Sequence, residues 1–241
     1  MLSFIIPTLN EEKVLEKLLR NLREIKTFDY EIIVSDGGST DRTVFIAKSL
    51  ADKVVEHTKP GRQTIGEGRN AGAAQAQGDF LVFLDADVYI FKPDDFFARA
   101  LKHFQTNERL VGLGGFLRVF PEMETFGDII GYRVFSNGSF YFYNNITKVG
   151  GNCGEFGMIK REVFQKLGGY HENLAAGEDF ELFRRLAKVG NVLTDPKLVV
   201  YHTGRRPHKV GWMKLYFTWI REYFYVALFH RSASKEWEVI R

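Results

Sequence analysis

Phe80-Leu81-Val82-Phe83-Leu84-Asp85-Ala86-Asp87 sets a wholly apolar run directly before two carboxylates. A short uninterrupted apolar run is the pattern of a strand buried on both faces, as in a parallel sheet. Working outward, residues 2–6, 31–34 and 54–55 read as further strands, and 110–119 as a strand interrupted by glycines. Helical patterns stand between them at 11–22, 41–50 and 70–77, and Pro93 opens another after the central run. In the first of these, Asn10 is the expected N-cap. Strands alternating with helices predict right-handed βαβ units and a mostly parallel central sheet flanked by helices, an α/β fold. Further on, residues 155–159 read as a strand, 161–167 and 179–189 as helices, and 192–194 and 198–201 as strands about a turn at Asp195-Pro196.

In such sheets ligands bind beyond the carboxyl ends of the strands, at the topological switch point. Three strands end there in polar residues: Pro7-Thr8-Leu9-Asn10-Glu11, Ser35-Asp36-Gly37-Gly38-Ser39-Thr40-Asp41, and Asp85-Ala86-Asp87. On extended backbone, residues two apart point the same way, so Asp85 and Asp87 converge. Like charges that close need a compensating proton or cation, and Mg²⁺ or Mn²⁺ accepts one or two carboxylates beside water and phosphate oxygens. A solvated turn is the plainer reading; the buried strand before the pair weighs against it. Asp36, at a strand end, is a candidate for a nucleobase or ribose, although Ser39 to Asp41 read equally as a turn and helix cap. Arg69, expected at a helix N-terminus, is a candidate phosphate contact. Glu178-Asp179 opens a helix, where dipole complementarity competes with a general-base role. His202, at a strand end, is a possible third metal ligand, though a lone histidine there usually is not one.

Composition narrows the classes. A chain of 241 residues with net charge +3 and interspersed charges gives no reason to expect nucleic acid as a partner. One cysteine, Cys153, excludes an internal disulfide and fits a reducing compartment. The expected location is the cytoplasm.

PTLNEE, VSDGGSTD, GRNAGAAQAQGDFLVFLDAD and GEDFELFRRL, in that order, resemble glycosyltransferase family 2 with the GT-A fold. The likeness covers roughly residues 2–205, with 1–110 as the nucleotide-sugar-binding half and 111–205 as the acceptor half. It implies that Pro7, Thr8, Asn10 and Glu11 border the nucleotide and that Asp36 contacts its base. It further implies that Asp85 faces the ribose or diphosphate, that Asp87 and His202 bind the metal, and that Asp179 is the catalytic base with Glu178 beside it. The implied reaction is an inverting transfer from a UDP- or GDP-sugar to a glycan or lipid-linked acceptor. The Gln-x-x-Arg-Trp motif of processive members is missing, and Phe183-Arg184-Arg185 is a different pattern, so one sugar per acceptor is expected. A sugar-nucleotide pyrophosphorylase would carry a basic Gly-rich loop after the first strand, and a non-catalytic nucleotide-sugar or membrane-binding module would not need all four aspartates.

The C-terminal segment, 206–241, contains an aromatic helix at 212–229. Lys214, Thr218, Arg221 and Glu222 form its narrow polar stripe, leaving an apolar face too wide for an ordinary surface helix. Packing on the core or a second copy competes with peripheral attachment to the inner face of the cell membrane. Arg205, Arg206 and Lys209 would then lie near a lipid phosphate.

Overall fold

The computed structural model describes residues 1–229, 231–234 and 240. Its centre is an eight-stranded sheet of order β3-β2-β1-β4-β7-β6-β8-β5. The strands are β1 (Leu2–Thr8), β2 (Tyr30–Asp36), β3 (Lys53–Glu56), β4 (Phe80–Leu84), β5 (Val88–Tyr89), β6 (Leu110–Val119), β7 (Phe156–Lys160) and β8 (Asn191–His202). The strands β1 to β4 are parallel, with β1 between β2 and β4; β7 runs antiparallel to both β4 and β6, and β6 and β8 are again parallel. Both faces of β1 are covered. Phe4 and Ile6 pack toward α1 (Leu15–Leu22) and α4 (Pro93–Thr106), while Ile5 joins Phe83, Phe164 and Phe183 on the other side. That two-sided burial is why these strands read as unbroken apolar runs.

Three local expectations change. The first helix begins at Leu15, not at Glu11, and Asn10 does not cap it. Asn10 sits at φ 57 and its Oδ1 accepts from Thr40 N–H at 2.8 Å. Asparagine tolerates this left-handed backbone, and the turn spends its polar groups on the loop before α2 (Thr43–Leu50). Helix α3 spans Ile65–Ala74, five residues earlier than expected, because Thr64 and Glu67 form a reciprocal capping box. Its glycines let it lie on the sheet: a Cβ at Gly72 would fall 2.7 Å from Ile5. Third, residues 191–202 form one strand. The register against β6 slips at Gly115/Phe116, whose partners are Asp195 and Val199, and Pro196 is accommodated in that irregularity because it has no N–H for the ladder.

Beyond β6 the chain enters a helical segment, 126–146, in which short α stretches, α5 (Phe126–Asp128) and α6 (Asn137–Tyr141), alternate with π-helical Ile129–Ser136 and Phe142–Ile146. After α7 (Arg161–Lys166), α8 (Glu178–Val189), and the short α9 (Arg205–Val210), α10 (Trp212–Phe229) lies along this segment. Buried Asp128 fastens the two, accepting from Trp212 Nε1 at 3.0 Å and pairing with His208 Nε2 at 2.7 Å. Glu222, expected on a solvent stripe, is instead buried and accepts from Ala233 and Ser234 N–H. Residues 230, 235–239 and 241 of the expected C-terminal segment lie outside the described residues. Among the described residues, no helix is long and apolar enough to cross a membrane.

Candidate active site

The carboxyl ends of β1, β2 and β4 lie side by side, with Thr8 in register with Asp36. Beyond them is a cleft of about 170 Å³. Pro7, Thr8 and Glu11 line it from the first strand, Ser35 and Gly37 from the second, Asp85 and Asp87 from the third, and His202 and Arg205 from β8 and α9. Asp36 stands behind this wall. It is 1% exposed, and its oxygens accept from Thr8 Oγ1 and from the N–H groups of Gly38 and Ser39. Its carboxylate therefore anchors the loop instead of reaching into the cleft. Asn10 likewise binds the loop and does not line the cleft.

Asp87 is buried, and Thr203 Oγ1 donates to it. Arg205 Nε lies 3.2 Å from Asp87 Oδ2, while its Nη1 and Nη2 bond both oxygens of buried Glu11 at 2.7 and 2.8 Å. Arg205 thus lines this cleft; the chain turns it there at Gly204, whose φ is 65. His202 is buried with Nδ1 accepting from Gly204 N–H at 3.3 Å, and its Nε2 has no hydrogen-bond partner. Burial lowers its pKa to about 4, so the ring is neutral at physiological pH. A buried, neutral imidazole nitrogen without a hydrogen-bond partner, in a cleft that Asp85 and Asp87 also line, fits a metal ligand. Among the described residues, no group of three His, Cys, Asp or Glu side chains is arranged to hold a metal ion. A hard cation does not need one when water and phosphate oxygens complete its shell.

A second cavity, of about 530 Å³, adjoins the first; Asp85, Tyr132, Glu155 and Arg206 line both. Glu178 and Asp179 stand in it, on the first turn of α8. Arg69 joins the two sites. It is not at a helix N-terminus but inside α3, 1% exposed, with Nη1 donating to Asp179 Oδ2 at 2.6 Å and Glu178 Oε1 at 2.9 Å. Its Nη2 donates to Asp85 Oδ1 at 3.1 Å and to Gly154 O at 2.9 Å. These bonds direct Arg69 to the protein's own carboxyl groups and to the Gly154 carbonyl. Tyr170 donates to the other oxygen of Asp179 at 3.0 Å, and Arg69 lies over its ring.

Carboxylates outnumber cations here, and their proton affinities respond. Burial raises Asp85, with Arg69 pulling it back. Glu178 is pushed up to about 8 by burial and by the charge of Asp179. Glu155 is pushed up to about 8 by burial and by the charge of Asp85. Glu155, Tyr170 and Arg205 were not anticipated in these positions. Arg205 had a readable signal, an arginine just past a strand that ends at a candidate ligand; the other two depend on long-range packing.

Residues 3–168 match the sequence profile of Glycosyl transferase family 2, and the chain belongs to that family. It is 29% identical over 82% of its length to the dolichyl N-acetyl-alpha-D-glucosaminyl phosphate 3-beta-D-2,3-diacetamido-2,3-dideoxy-beta-D-glucuronosyltransferase of Methanococcus voltae. It is also 29% identical over 82% of its length to succinoglycan biosynthesis protein ExoA of Rhizobium meliloti. The chain covers 65% and 62% of those relatives. In fold it resembles a mannosyltransferase of Pyrobaculum calidifontis, solved with GDP-Man and Mn²⁺, at TM-score 0.73 and 21% identity. That likeness covers 94% of this chain and 64% of the other, and the shared architecture is GT-A.

Proposed function

We propose that the chain transfers one sugar from a UDP- or GDP-sugar to an acceptor hydroxyl with inversion at the anomeric carbon. The observation that carries this is the single buried guanidinium of Arg69, bonded to Asp85 at the donor cleft and to Asp179 in the adjoining cavity. The two are thereby held on either side of the junction where an anomeric carbon would sit. Donor and acceptor bound there would meet in a fixed orientation, which removes much of the entropic barrier.

Asp179 takes the proton of the acceptor hydroxyl as its oxygen bonds to the anomeric carbon. The bond from that carbon to the diphosphate breaks, and the nucleoside diphosphate leaves. Tyr170 and Arg69 fix the carboxylate's orientation, and Glu178, protonated through neutral pH, adds no competing charge. Asp87, Asp85 and His202 would hold Mn²⁺ or Mg²⁺, which when bound offsets charge on the departing diphosphate. Support for the metal comes from the unpartnered Nε2 of His202 and from the Mn²⁺ in the Pyrobaculum structure. Support for a lipid-linked acceptor comes from the dolichyl phosphate in the name of the Methanococcus relative. Peripheral attachment at the cytoplasmic face of a membrane through α10 belongs to the same reading.

Calorimetric titration of UDP and GDP, with and without Mn²⁺, on native protein and Asp87→Ala tests it. One nucleotide should bind with Mn²⁺ and lose that binding in the variant. Folded protein that binds neither would leave a non-catalytic module as the better reading. Release of pyrophosphate instead of nucleoside diphosphate from a sugar nucleotide would indicate a pyrophosphorylase.

A further inference from the structure

Glu178 and Asp179 line the second cavity, yet most of its wall is apolar. Tyr132, Phe140, Tyr143, Phe180, Trp219 and Tyr223 face it, and its volume of about 530 Å³ is roughly three times that of the donor cleft at about 170 Å³. Its polar groups, Ser136, Ser139, Asn152 and Arg206 among them, are a minority of the wall, so a large glycan enclosed there would leave some hydroxyls without partners, which is costly in apolar surroundings. A hydrocarbon chain would leave none.

The outer surfaces of the same walls are also apolar. The segment 126–146 and α10 close on each other through Phe135 against Tyr216, with ring centres 4.8 Å apart, and Tyr143 stacked on Tyr223 at 6.4 Å. Met213, Phe217, Ile220, Phe224 and Leu228 follow one helical stripe of α10, and all are exposed, Met213 by 75% and Phe217 by 65%. Phe126, Val134, Phe142 and Ile146 are exposed on the neighbouring segment. Phe135, Ile220 and Phe224 belong to both sets: they line the cavity and stand exposed, so the cavity opens onto this surface. Lys209, Lys214 and Arg221 are exposed around it, and the one acidic residue of α10, Glu222, is buried. An anionic lipid surface complements that combination of apolar stripe and flanking cations.

We propose that this cavity holds the hydrocarbon chain of a lipid acceptor, its hydroxyl-bearing end at Asp179, and that the chain enters from a lipid surface contacted by the exposed faces of α10 and residues 126–146. The assignment of the hydroxyl rests on the transferase reading above; the chain site rests on the cavity and its opening.

The probe is 12-bromododecan-1-ol, whose bromine quenches tryptophan on contact, with Trp219 in the cavity wall as reporter. Quenching should saturate, should weaken about fourfold for each methylene removed in shorter bromoalcohols, and should fail to saturate with 4-bromobutan-1-ol. Ser139→Phe, which narrows the cavity from α6, should weaken it at least tenfold while UDP or GDP titration is unchanged. The double variant Met213→Ser, Phe217→Ser lies outside the cavity and should leave quenching alone. It should lower flotation with phosphatidylcholine–phosphatidylglycerol vesicles at least tenfold. Nucleotide binding with no saturable quenching, or quenching indifferent to Ser139→Phe, overturns the chain site and leaves the transferase reading intact. Saturable quenching without nucleotide binding does the reverse. Concentration-dependent dimers by sedimentation, with no vesicle binding, would assign the exposed faces to a second copy and overturn the lipid surface.

Discussion

Arg69 and Asp179 are 110 residues apart in sequence and 2.6 Å apart in space, between Nη1 and Oδ2. The guanidinium is fully buried, and its nearest acidic groups come from three places, Asp85, Glu178 and Asp179. Burial works against its charge, and those carboxylates restore it, holding its pKa above the usual arginine value. Arg69 is therefore both a structural tie and the counter-charge of the proposed site. Removing it leaves buried carboxylates uncompensated, which costs about 3–5 kcal/mol when one partner of a buried pair is deleted. Arg69→Met should lose stability of that order by urea denaturation. A loss below about 1 kcal/mol would show that water already compensates these charges.

Glu155 and Glu178 give the fold a pH dependence of definite sign. Both are pushed up to about 8, burial first, against about 4.3 for an unfolded glutamate. The native state keeps protons that the unfolded chain has released. Their contribution is complete below the unfolded value and is lost as pH rises through about 8. His202 works oppositely, with a folded value of about 4 and an unfolded one near 6.5. Its contribution is present above 6.5 and is lost as pH falls through 4. Between about pH 6.5 and 8 the glutamates act in the same direction as the raised Asp85, so stability should decline across that window. Glu178→Gln should roughly halve the slope. Denaturation midpoints that stay level from pH 6.5 to 8 in the native protein would refute this.

The unpartnered Nε2 of His202 yields a metal test. His202→Asn keeps a polar side chain at the end of β8 but withdraws the aimed nitrogen. Mn²⁺-dependent binding of the nucleotide should weaken tenfold or more, while metal-free binding stays within about twofold. Such losses are typical when the support of a metal site is disturbed. Equal affinity with Mn²⁺ in both proteins would remove His202 from the ligand set.

Gly131 lies under the indole of Trp212, where a Cβ would fall 2.3 Å from ring carbons. The close approach of α10 to the π-helical stretch depends on that missing methyl group. Gly131→Ala must push the ring aside, a form of overpacking that costs about 1–3 kcal/mol. Thermal unfolding should shift downward and the tryptophan emission should move. An unaltered emission spectrum would mean that the contact is looser than the geometry implies.

What could be read in advance followed from local rules. The apolar run at 80–84 gave the strand, and its abrupt end gave Asp85 and Asp87 at the cleft. The earlier start of α3 was equally legible, since Thr64 and Glu67 have capping-box spacing; Gly66 and Gly68 obscured it by lowering helix propensity. Arg69 was not legible, because its partners lie 16 to 110 residues away. Residues 126–146 also escaped periodicity, since π-helical turns do not repeat every 3.6 residues. The strand-end position of Asp36 was legible, but its bonds to the loop were not, since they depend on how residues 37–39 fold back over its oxygens.

Arg205 supplies the last prediction. It bridges Glu11 and Asp87, standing against the aspartate where a cation would be held, and it also faces the space a diphosphate would fill. Its replacement by glutamine should therefore move two affinities in opposite directions. Without nucleotide, Mn²⁺ should bind more tightly, because a competing positive charge has gone. Without Mn²⁺, the nucleoside diphosphate should bind more weakly, because the cleft has lost a cation. One charge in a partly exposed cleft is worth about 1.4 kcal/mol, or about tenfold in each direction. Calorimetric titration of the two ligands separately on Arg205→Gln reads both changes. A fall in both affinities together would mean that Arg205 chiefly holds β8 against the first loop, and that its charge is not what either ligand meets.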